Sequence, residues 1–395
     1  MILWLISIAG MFALCLSGAS HLLEVQDPAL ALSLNPFNTE ARVNALVGAL
    51  NADDPDLDAA RSSAGDLISH ASGDARGYSL LGAVLERQGE TQAATRLYEV
   101  ALKHSRTEIH ALLSLTDRAL ANSNIAAALS FTDAILRRWP EYGPRVLPVV
   151  VAASASDAGR NALAAMLADS PPWRTGALRE LVKNGNGLAF ARDLLTTEGE
   201  AADVRRKAEV NLVVAALADA NAIGAAHSLF LSTLGPEARA RAGYIYDPAF
   251  VTGATASYFG WHAKSNGAAE VTLPLAGGGL RMRFLDSPAR LGTVTQRLRL
   301  PPGAYRLEAD IAAVGLEAPK GLYWRLACSG ARSPLVELEV PEGSYGPRSV
   351  SAEFELPGDA CALQQVSIET DTKTDSWRAR YRGEVTFRAL RISRL

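Results

Sequence analysis

The N-terminal half of the chain carries a repeating pattern of small and aromatic residues, and this pattern constrains the fold more than any other feature. The clearest unit covers residues 75–108 and predicts two helices joined by a turn. Its key positions are Tyr78, Leu81, Gly82, Ala94, Tyr98 and Ala101. A shift of about 34 residues puts Gly48 in the place of Gly82 and Ala128 in the place of Ala94. Because small residues are needed where helices approach closely, the spacing predicts a stack of helical hairpins.

The residue types in this unit run large apolar, Leu-Gly, apolar, then small, aromatic, small, and this order resembles the tetratricopeptide repeat (TPR). Arg106 replaces the closing proline of that repeat, and Pro140 stands one period later. The resemblance implies three consecutive repeats from Ala41 to about Pro140, within a TPR-like domain of residues 27–140. It also implies a protein partner that docks on the array. Residues 141–236 keep a helical pattern in poor register, and we expect degenerate helical hairpins there.

Residues 1–20 form an apolar N-terminal segment. No charged side chain occurs from Met1 to Ala19, and at about 1.5 Å rise per residue such a helix just spans the hydrocarbon core of a bilayer. The segment is therefore a transmembrane anchor or a signal peptide. It lacks a basic n-region but offers small residues for cleavage at 17–20, and we favour the uncleaved anchor. We expect an inner-membrane protein with its soluble part in the periplasm, with secretion after cleavage as the alternative.

The charge balance and the motifs exclude several functions. The chain has 39 Lys plus Arg against 42 Asp plus Glu, so it lacks the general basic field that nucleic-acid binding usually needs. The sequence contains no phosphate loop, HExxH motif, nucleophile elbow or Cys/His cluster. We therefore expect no nucleic-acid partner, no cofactor, no metal and no enzymatic activity.

A glycoside hydrolase with paired carboxylates is the enzymatic alternative. The candidate residues are Glu308, Asp310, Glu337, Glu339, Glu353 and Glu355. They alternate with apolar residues, as the solvated face of a strand would. Catalysis would require two of them to face each other across a cleft about 5 to 9.5 Å wide.

Residues 244–395 change to short alternating runs separated by Gly, Pro and Asp, which predicts an antiparallel β-sandwich. The last run shifts phase by one residue and indicates a bulge near Arg388. Cys328 and Cys361 both lie in predicted strands. They form either a disulfide, which an exported compartment would permit, or two separate buried thiols. The fold class is therefore α+β and multidomain, with a membrane helix, a helical hairpin array and a jelly-roll-like sandwich.

The C-terminal region resembles jelly-roll carbohydrate-binding modules. The matching parts are the aromatic opening at 259–261, the turn and strand at 302–307, and the closing strand at 385–392. The resemblance implies a glycan ligand. Many such modules hold calcium through an acidic residue on the last strand, and Arg388 or a neighbour stands there instead. The whole layout resembles repeat proteins encoded with bacterial exopolysaccharide machinery.

Sugar binding needs exposed aromatic faces and polar neighbours. The glycan-binding candidates are Tyr258, Trp261, His262, Trp377 and Tyr381. For Trp261, a place in the core is an equal alternative, and the phase of Trp324 assigns that residue to the core.

Five arginines on outward strand positions could form a basic patch for an acidic polysaccharide or a lipid headgroup. They are Arg281, Arg283, Arg297, Arg299 and Arg306. A solvated strand face is the alternative.

Together these features predict a non-enzymatic, membrane-tethered scaffold of the bacterial envelope that is linked to exopolysaccharide or surface-glycan assembly or export. The array would dock a protein, and the sandwich would contact a glycan. The alternative is a pure protein-assembly factor that binds no sugar. A glycan-active hydrolase ranks third.

Overall fold

The computed structural model describes residues 11–331, 333–358, 361–371 and 379–395, together with the backbone of residues 2–10. The chain divides into two compact units, Met1–Glu180 and Leu181–Leu395.

The first unit consists of helices. They are α1 (Ile2–Leu23), α2 (Pro28–Leu34), α3 (Thr39–Leu50), α4 (Leu57–His70), α5 (Ala75–Arg87), α6 (Thr91–His104), α7 (Ile109–Ala121), α8 (Ile125–Arg138), α9 (Gly143–Ala153), α10 (Asp157–Ala168) and α11 (Arg174–Leu181), with a short 3-10 turn at Pro140–Tyr142. Polar side chains cap the N-termini of several of these helices. Asn38, Asp56, Asp74 and Asn124 each accept a hydrogen bond from a backbone N–H in the first turn of the helix that follows.

The predicted helical hairpins are present, and they keep the predicted period. Helices α4, α6 and α8 begin at residues 57, 91 and 125, that is, 34 residues apart each time. Ala94, Tyr98 and Ala101 of α6 are buried against α5. Leu81 is partly buried in the same cluster, and Tyr78 stacks on His104 with 4.8 Å between the ring centroids. Membership of the TPR family stays a prediction.

Within the part of the chain that the structure describes, no helix is long and apolar enough to cross a membrane. Residues 1–10, the first half of the predicted membrane segment 1–20, lie outside the described side chains, and that segment stays a prediction.

The described residues of the second unit form helices followed by two antiparallel sheets. The helices are α12 (Gly185–Glu198), α13 (Val204–Asp219), α14 (Ile223–Ser232) and α15 (Pro236–Ala240). The strands are β1 (His262–Ala263), β2 (Ala269–Thr272), β3 (Leu280–Phe284), β4 (Ser287–Pro288), β5 (Val294–Leu298), β6 (Gly303–Glu317), β7 (Tyr323–Cys328), β8 (Val336–Glu339), β9 (Gly343–Leu356), β10 (Gln364–Glu369) and β11 (Arg380–Arg394).

The strand order defines a sandwich of two sheets. One sheet has five strands in the order β1-β5-β10-β7-β8, and the other has the order β2-β3-β11-β6-β9, with β4 paired to β11. The inward side chains of both sheets form one core, in which the ring centroids of Trp324 and Phe387 lie 5.2 Å apart. The register of β11 shifts between Phe387 and Ala389, which confirms the predicted bulge near Arg388.

The last helices belong to the same unit as the sandwich, whereas the sequence placed them in a separate segment ending at residue 236. The backbone N–H of Tyr258 donates to the side-chain oxygen of Asn211 on α13 at 2.7 Å. On α14, His227 and Phe230 contact Phe259 with ring centroids 5.0 and 5.5 Å apart. The aromatic opening segment of the sandwich is therefore fixed by α13 and α14.

The structure joins Cys328 and Cys361 by a disulfide, with 5.5 Å between the α-carbons. This confirms the first of the two alternatives that the sequence left open. The bridge attaches Cys361, which lies shortly before β10, to the end of β7.

Candidate functional site

Two of the predicted glycan-binding aromatics lie in the core. Trp261 has no exposed surface; its ring centroid lies 4.9 Å from that of Phe250, and its indole N–H donates to the backbone oxygen of Asp247. Tyr381 is equally buried, and its hydroxyl donates to the carbonyl oxygen of Gly321 at 2.9 Å. A ring without accessible surface cannot stack on a sugar. The predicted ligand role of Trp261 and Tyr381 is therefore wrong, and Trp377 lies outside the described residues.

The other two predicted glycan-binding residues, Tyr258 and His262, are half-buried, and other side chains of the protein contact the Tyr258 ring. The guanidinium of Arg297 lies 4.5 Å from the centroid of the Tyr258 ring, and Phe259 packs against the same ring. The Nε2 atom of His262 is buried and has no hydrogen-bond partner among the described residues. Burial lowers the pKa of His262. Arg297 and Phe259 therefore occupy part of the Tyr258 ring surface, and both predicted residues remain partly exposed.

The predicted basic patch does not form, because its five arginines lie on two different sheets. Arg281, Arg283 and Arg306 stand on the six-stranded sheet, whereas Arg297 and Arg299 lie in and after β5 of the other sheet. On the six-stranded sheet each arginine is paired with a carboxylate. Arg283 contacts Glu270 at 2.5 Å, Arg306 contacts Glu353 at 2.7 Å, and Arg281 contacts Glu384 at 4.0 Å. Cross-strand ion pairs thus compensate the charges of these three arginines, and the prediction of one basic patch is wrong.

Four of the six carboxylates considered for a hydrolase serve as ion-pair partners, namely Glu308, Asp310, Glu337 and Glu353. Arg391 contacts Glu308 at 3.2 Å and Asp310 at 2.5 Å. The hydroxyl of Ser349 donates to Asp310, and this bond, with the Arg391 contact, lowers the pKa of Asp310. A general acid of a glycosidase needs a raised pKa. The environment of Asp310 favours the ionised form instead.

A different cluster occupies the outer face of the five-stranded sheet, where β7 lies between β10 and β8. At its centre, Arg325 contacts Glu337 at 2.7 Å, Glu369 at 3.3 Å and Asp371 at 2.6 Å. The Arg325 side chain is only 15% exposed. Burial disfavours its charge, but the hydrogen bond and charge of Asp371, with the charge of Glu337, outweigh burial and raise the pKa of Arg325. These four side chains therefore form a fixed polar group.

Tyr323 lies beside this group, and its ring centroid is 5.0 Å from the Arg325 guanidinium. Burial, followed by the negative charges of Glu339, Asp371 and Glu337, raises the pKa of Tyr323. The phenol therefore stays neutral and keeps its proton as a hydrogen-bond donor at neutral pH.

A cavity of about 460 Å³ opens next to the Tyr323 ring. Its lining residues are Ala318, Pro319, Gly321, Tyr323, Glu339, Val340, Pro341 and Glu342. Gly321 has φ +69°, and any side chain there would overlap the Tyr323 ring. The carbonyl of Gly321 is the one that accepts the hydroxyl of buried Tyr381. Tyr381 thus supports the floor of the cavity from inside the core.

Sequence reasoning missed Tyr323, although the signal was present. The assignment of Trp324 to the core requires its neighbours Tyr323 and Arg325 to point outward from the same strand. Tyr323 is thus an outward-facing aromatic residue near an arginine, with proline-containing segments on both sides. Such a combination of aromatic and charged side chains is typical of binding surfaces. The candidate site is therefore the Tyr323 cavity with the Arg325 cluster, which we call the Tyr323 site.

No protein-family model matches this chain, and no curated protein matches it either. Solved structures of carbohydrate-binding modules are similar to its C-terminal part. One titled "CBM4 structure and function" is 14% identical, covers 38% of this chain and 99% of its own, and has a TM-score of 0.30. TmCBM61 in complex with β-1,4-galactotriose is 16% identical, with coverages of 39% and 99% and a TM-score of 0.27.

A third is the CBM22-2 xylan-binding domain from Paenibacillus barcinonensis Xyn10C, at 8% identity, coverages of 38% and 98%, and a TM-score of 0.26. The likeness concerns the fold alone. The assignment of a two-sheet sandwich rests on the strand pairing of this chain.

Proposed function

We propose that this chain is a non-enzymatic, membrane-tethered scaffold and binding protein of the bacterial envelope, and that its sandwich binds a glycan at the Tyr323 site. The observation that carries the proposal is the cavity beside Tyr323, flanked by the fixed Arg325 cluster. Its volume of about 460 Å³ lies in the range of small-ligand sites.

The chemistry of the Tyr323 site suits a sugar. Tyr323 and the prolines offer an apolar wall on which the C–H face of a pyranose can pack. The Glu339 carboxylate, which has no hydrogen-bond partner among the described residues, can accept bonds from sugar hydroxyls. Because the Arg325 cluster is held by three carboxylates, little side-chain freedom would be lost on binding.

For the helical array, the N-terminal segment and the compartment, we propose the roles that the sequence predicts. The helical hairpins act as a TPR array that docks a protein, and residues 1–20 tether the chain to the inner membrane with its soluble part in the periplasm. The disulfide between Cys328 and Cys361 supports an oxidising compartment. The link to exopolysaccharide or surface-glycan assembly or export rests on the resemblance in layout.

A protein-assembly factor that binds no sugar is the second candidate. The burial of Trp261 and Tyr381 favours it, because it removes two of the aromatics that the glycan hypothesis first required.

The test is titration calorimetry of the purified full chain against a panel of glycans. The panel holds the producing bacterium's surface polysaccharides, with xylan and β-1,4-galactotriose as the ligands named for similar folds. We expect saturable binding by wild type, at least about tenfold weaker binding by Tyr323→Ala, and retained binding by Tyr323→Phe, because the ring provides the stacking surface.

Tyr258→Ala serves as the matched control, because Tyr258 is also a half-buried tyrosine with an arginine beside its ring. If Tyr258→Ala abolished binding and Tyr323→Ala left it intact, the glycan site would lie near β1 and β5 instead. No heat with any glycan from a folded chain would favour the assembly factor.

A further inference from the structure

The end of helix α1 is built into the helical array. Ser20 has no exposed surface, and its hydroxyl donates to the carbonyl oxygen of Ala31 on α2 at 2.7 Å. The amide of Asn38 donates to the Ser20 hydroxyl at 2.9 Å and to the Glu24 carboxylate at 3.2 Å. These contacts join α1 to α2 and to the start of α3 without a linker.

Two further bonds extend this network. The Asn44 amide donates to the backbone oxygen of Glu24 at 2.9 Å, and the Asn35 amide donates to the Ser17 hydroxyl at 3.3 Å. Asn38 also caps α3, because its side-chain oxygen accepts from the backbone N–H of Ala41. Residues 17–24 therefore form the first helical layer of the array, in the region where the sequence offers a cleavage site.

Cleavage between residues 17 and 20 would damage this layer. A cut after Ala19 removes Ser17 and leaves a charged α-amino group on Ser20, whose side chain is fully buried. Burial of an unpaired charge is strongly unfavourable. A cut after Ser20 would also remove one of the two side-chain acceptors of the Asn38 amide, which is only 3% exposed.

Immediately before this layer, α1 is apolar on every side. The five consecutive residues from Met11 to Cys15 are all exposed. At 100° per residue, five consecutive side chains surround the helix, so a protein groove, which contacts one face, could not cover them. A lipid bilayer covers a helix from all sides, and the sequence from Met1 to Gly10 carries no charge.

We infer that the chain is not cut at residues 17–20, and that α1 passes from lipid directly into the array and holds the first hairpin at the membrane surface. This inference rests on the membrane tether of the proposed function. It adds that the anchor and the array share one continuous helix. Glycan binding at the Tyr323 site is independent of it, so failure of either leaves the other standing.

Cys15 supplies the probe, because the other two cysteines form the disulfide and Cys15 is free. The full chain is expressed in a bacterium, and spheroplasts are treated with a membrane-impermeant maleimide. We expect Cys15 to react at least about tenfold more slowly than the cysteine of the Cys15→Ser/Ser33→Cys control, because Ser33 is exposed on α2. Both should react fully in sodium dodecyl sulfate. Equal rates in spheroplasts would overturn the lipid contact.

Two further measurements test the shared helix. The intact mass of the purified protein should include residues 1–20, and a mature chain beginning at residues 18–21 would overturn the inference. Ser20→Val should lower the thermal midpoint of the full chain in detergent by about 2 °C or more, whereas Ser33→Ala should leave it unchanged. Equal midpoints for the two variants would show that residues 17–24 are not part of the array.

Discussion

The ring of Tyr98 packs directly against the α-carbon of Gly82, so that a methyl group at residue 82 would lie 2.8 Å from Cε1 of Tyr98. Tyr98 is 1% exposed, and its hydroxyl donates to the carboxylate of Glu86 at 2.8 Å. The ring cannot move away without breaking that bond. This contact sets the separation of α5 and α6.

We therefore expect Gly82→Ala to destabilise the first unit by about 1–3 kcal/mol, as overpacking of a closed interface does. Gly48 is the matched control, because it occupies the equivalent repeat position but has no atom within 4 Å of an added Cβ. Gly48→Ala should stabilise α3 by about 0.5–1 kcal/mol. Denaturant melts followed by circular dichroism measure both. Equal shifts for the two variants would contradict the close contact.

The disulfide between Cys328 and Cys361 closes a loop with a sequence separation of 33. Loop-closure entropy predicts that its loss costs about 3–4 kcal/mol of unfolding free energy. We expect the double variant Cys328→Ser/Cys361→Ser to show this loss in guanidinium melts of the second unit's transition. Dithiothreitol should have the same effect on wild type and none on the double variant. Cys15→Ser should leave the transition unchanged.

The stability of the second unit should fall in mild acid. His227 lies on α14, and its ring centroid is 5.0 Å from that of Phe259. Burial, followed by the nearby charge of Arg299, lowers the pKa of His227. In the unfolded chain this histidine takes up a proton near pH 6.5. Its contribution is therefore complete above that pH and is lost as the pH falls below it.

Thermal melts of wild type from pH 7.5 to pH 5 measure this loss. His227→Phe keeps an aromatic ring against Phe259 and removes the titration, so its midpoint should depend less on pH. An unchanged pH slope in that variant would exclude His227 as the cause.

Substitution of Arg325 should cost more stability than substitution of Arg306, because Arg325 is mostly buried and has three carboxylate partners, whereas Arg306 belongs to an exposed ion pair. Arg325→Ala leaves Glu337, Glu369 and Asp371 without their common partner, and we expect a loss of about 1–3 kcal/mol. Arg306 is 44% exposed and pairs with Glu353, which is 58% exposed. Arg306→Ala should therefore cost less than about 1 kcal/mol. Urea melts compare the two, and the opposite ranking would mean that the Arg325 cluster is not preorganised.

The sequence alone was sufficient for local structure. The 34-residue spacing predicted the hairpins that begin at residues 57, 91 and 125. Strand alternation predicted the sandwich, and the phase shift predicted the bulge in β11. These features depend on the helical and strand periods, which are properties of consecutive residues.

The repeat period did not predict which of the equivalent glycines must be small, because that depends on side-chain packing. Gly48 and Gly82 stand one period apart, yet Gly82 alone contacts an aromatic ring. A period identifies equivalent positions, but the size of the neighbouring side chain decides which of them must be small.

Periodicity along the chain was enough to predict the elements and the side chains of a strand that share a face. Which of those faces are covered depends on how the elements pack. Trp261 and Tyr381 were candidates for ligand contact until the second sheet buried them. Tyr323 gained its site because β7 lies between β8 and β10, which brings Glu369 and Asp371 to Arg325 across 44 and 46 residues of sequence. Alternation fixes the direction of a side chain, whereas its burial and its partners depend on strand order, which no local pattern encodes.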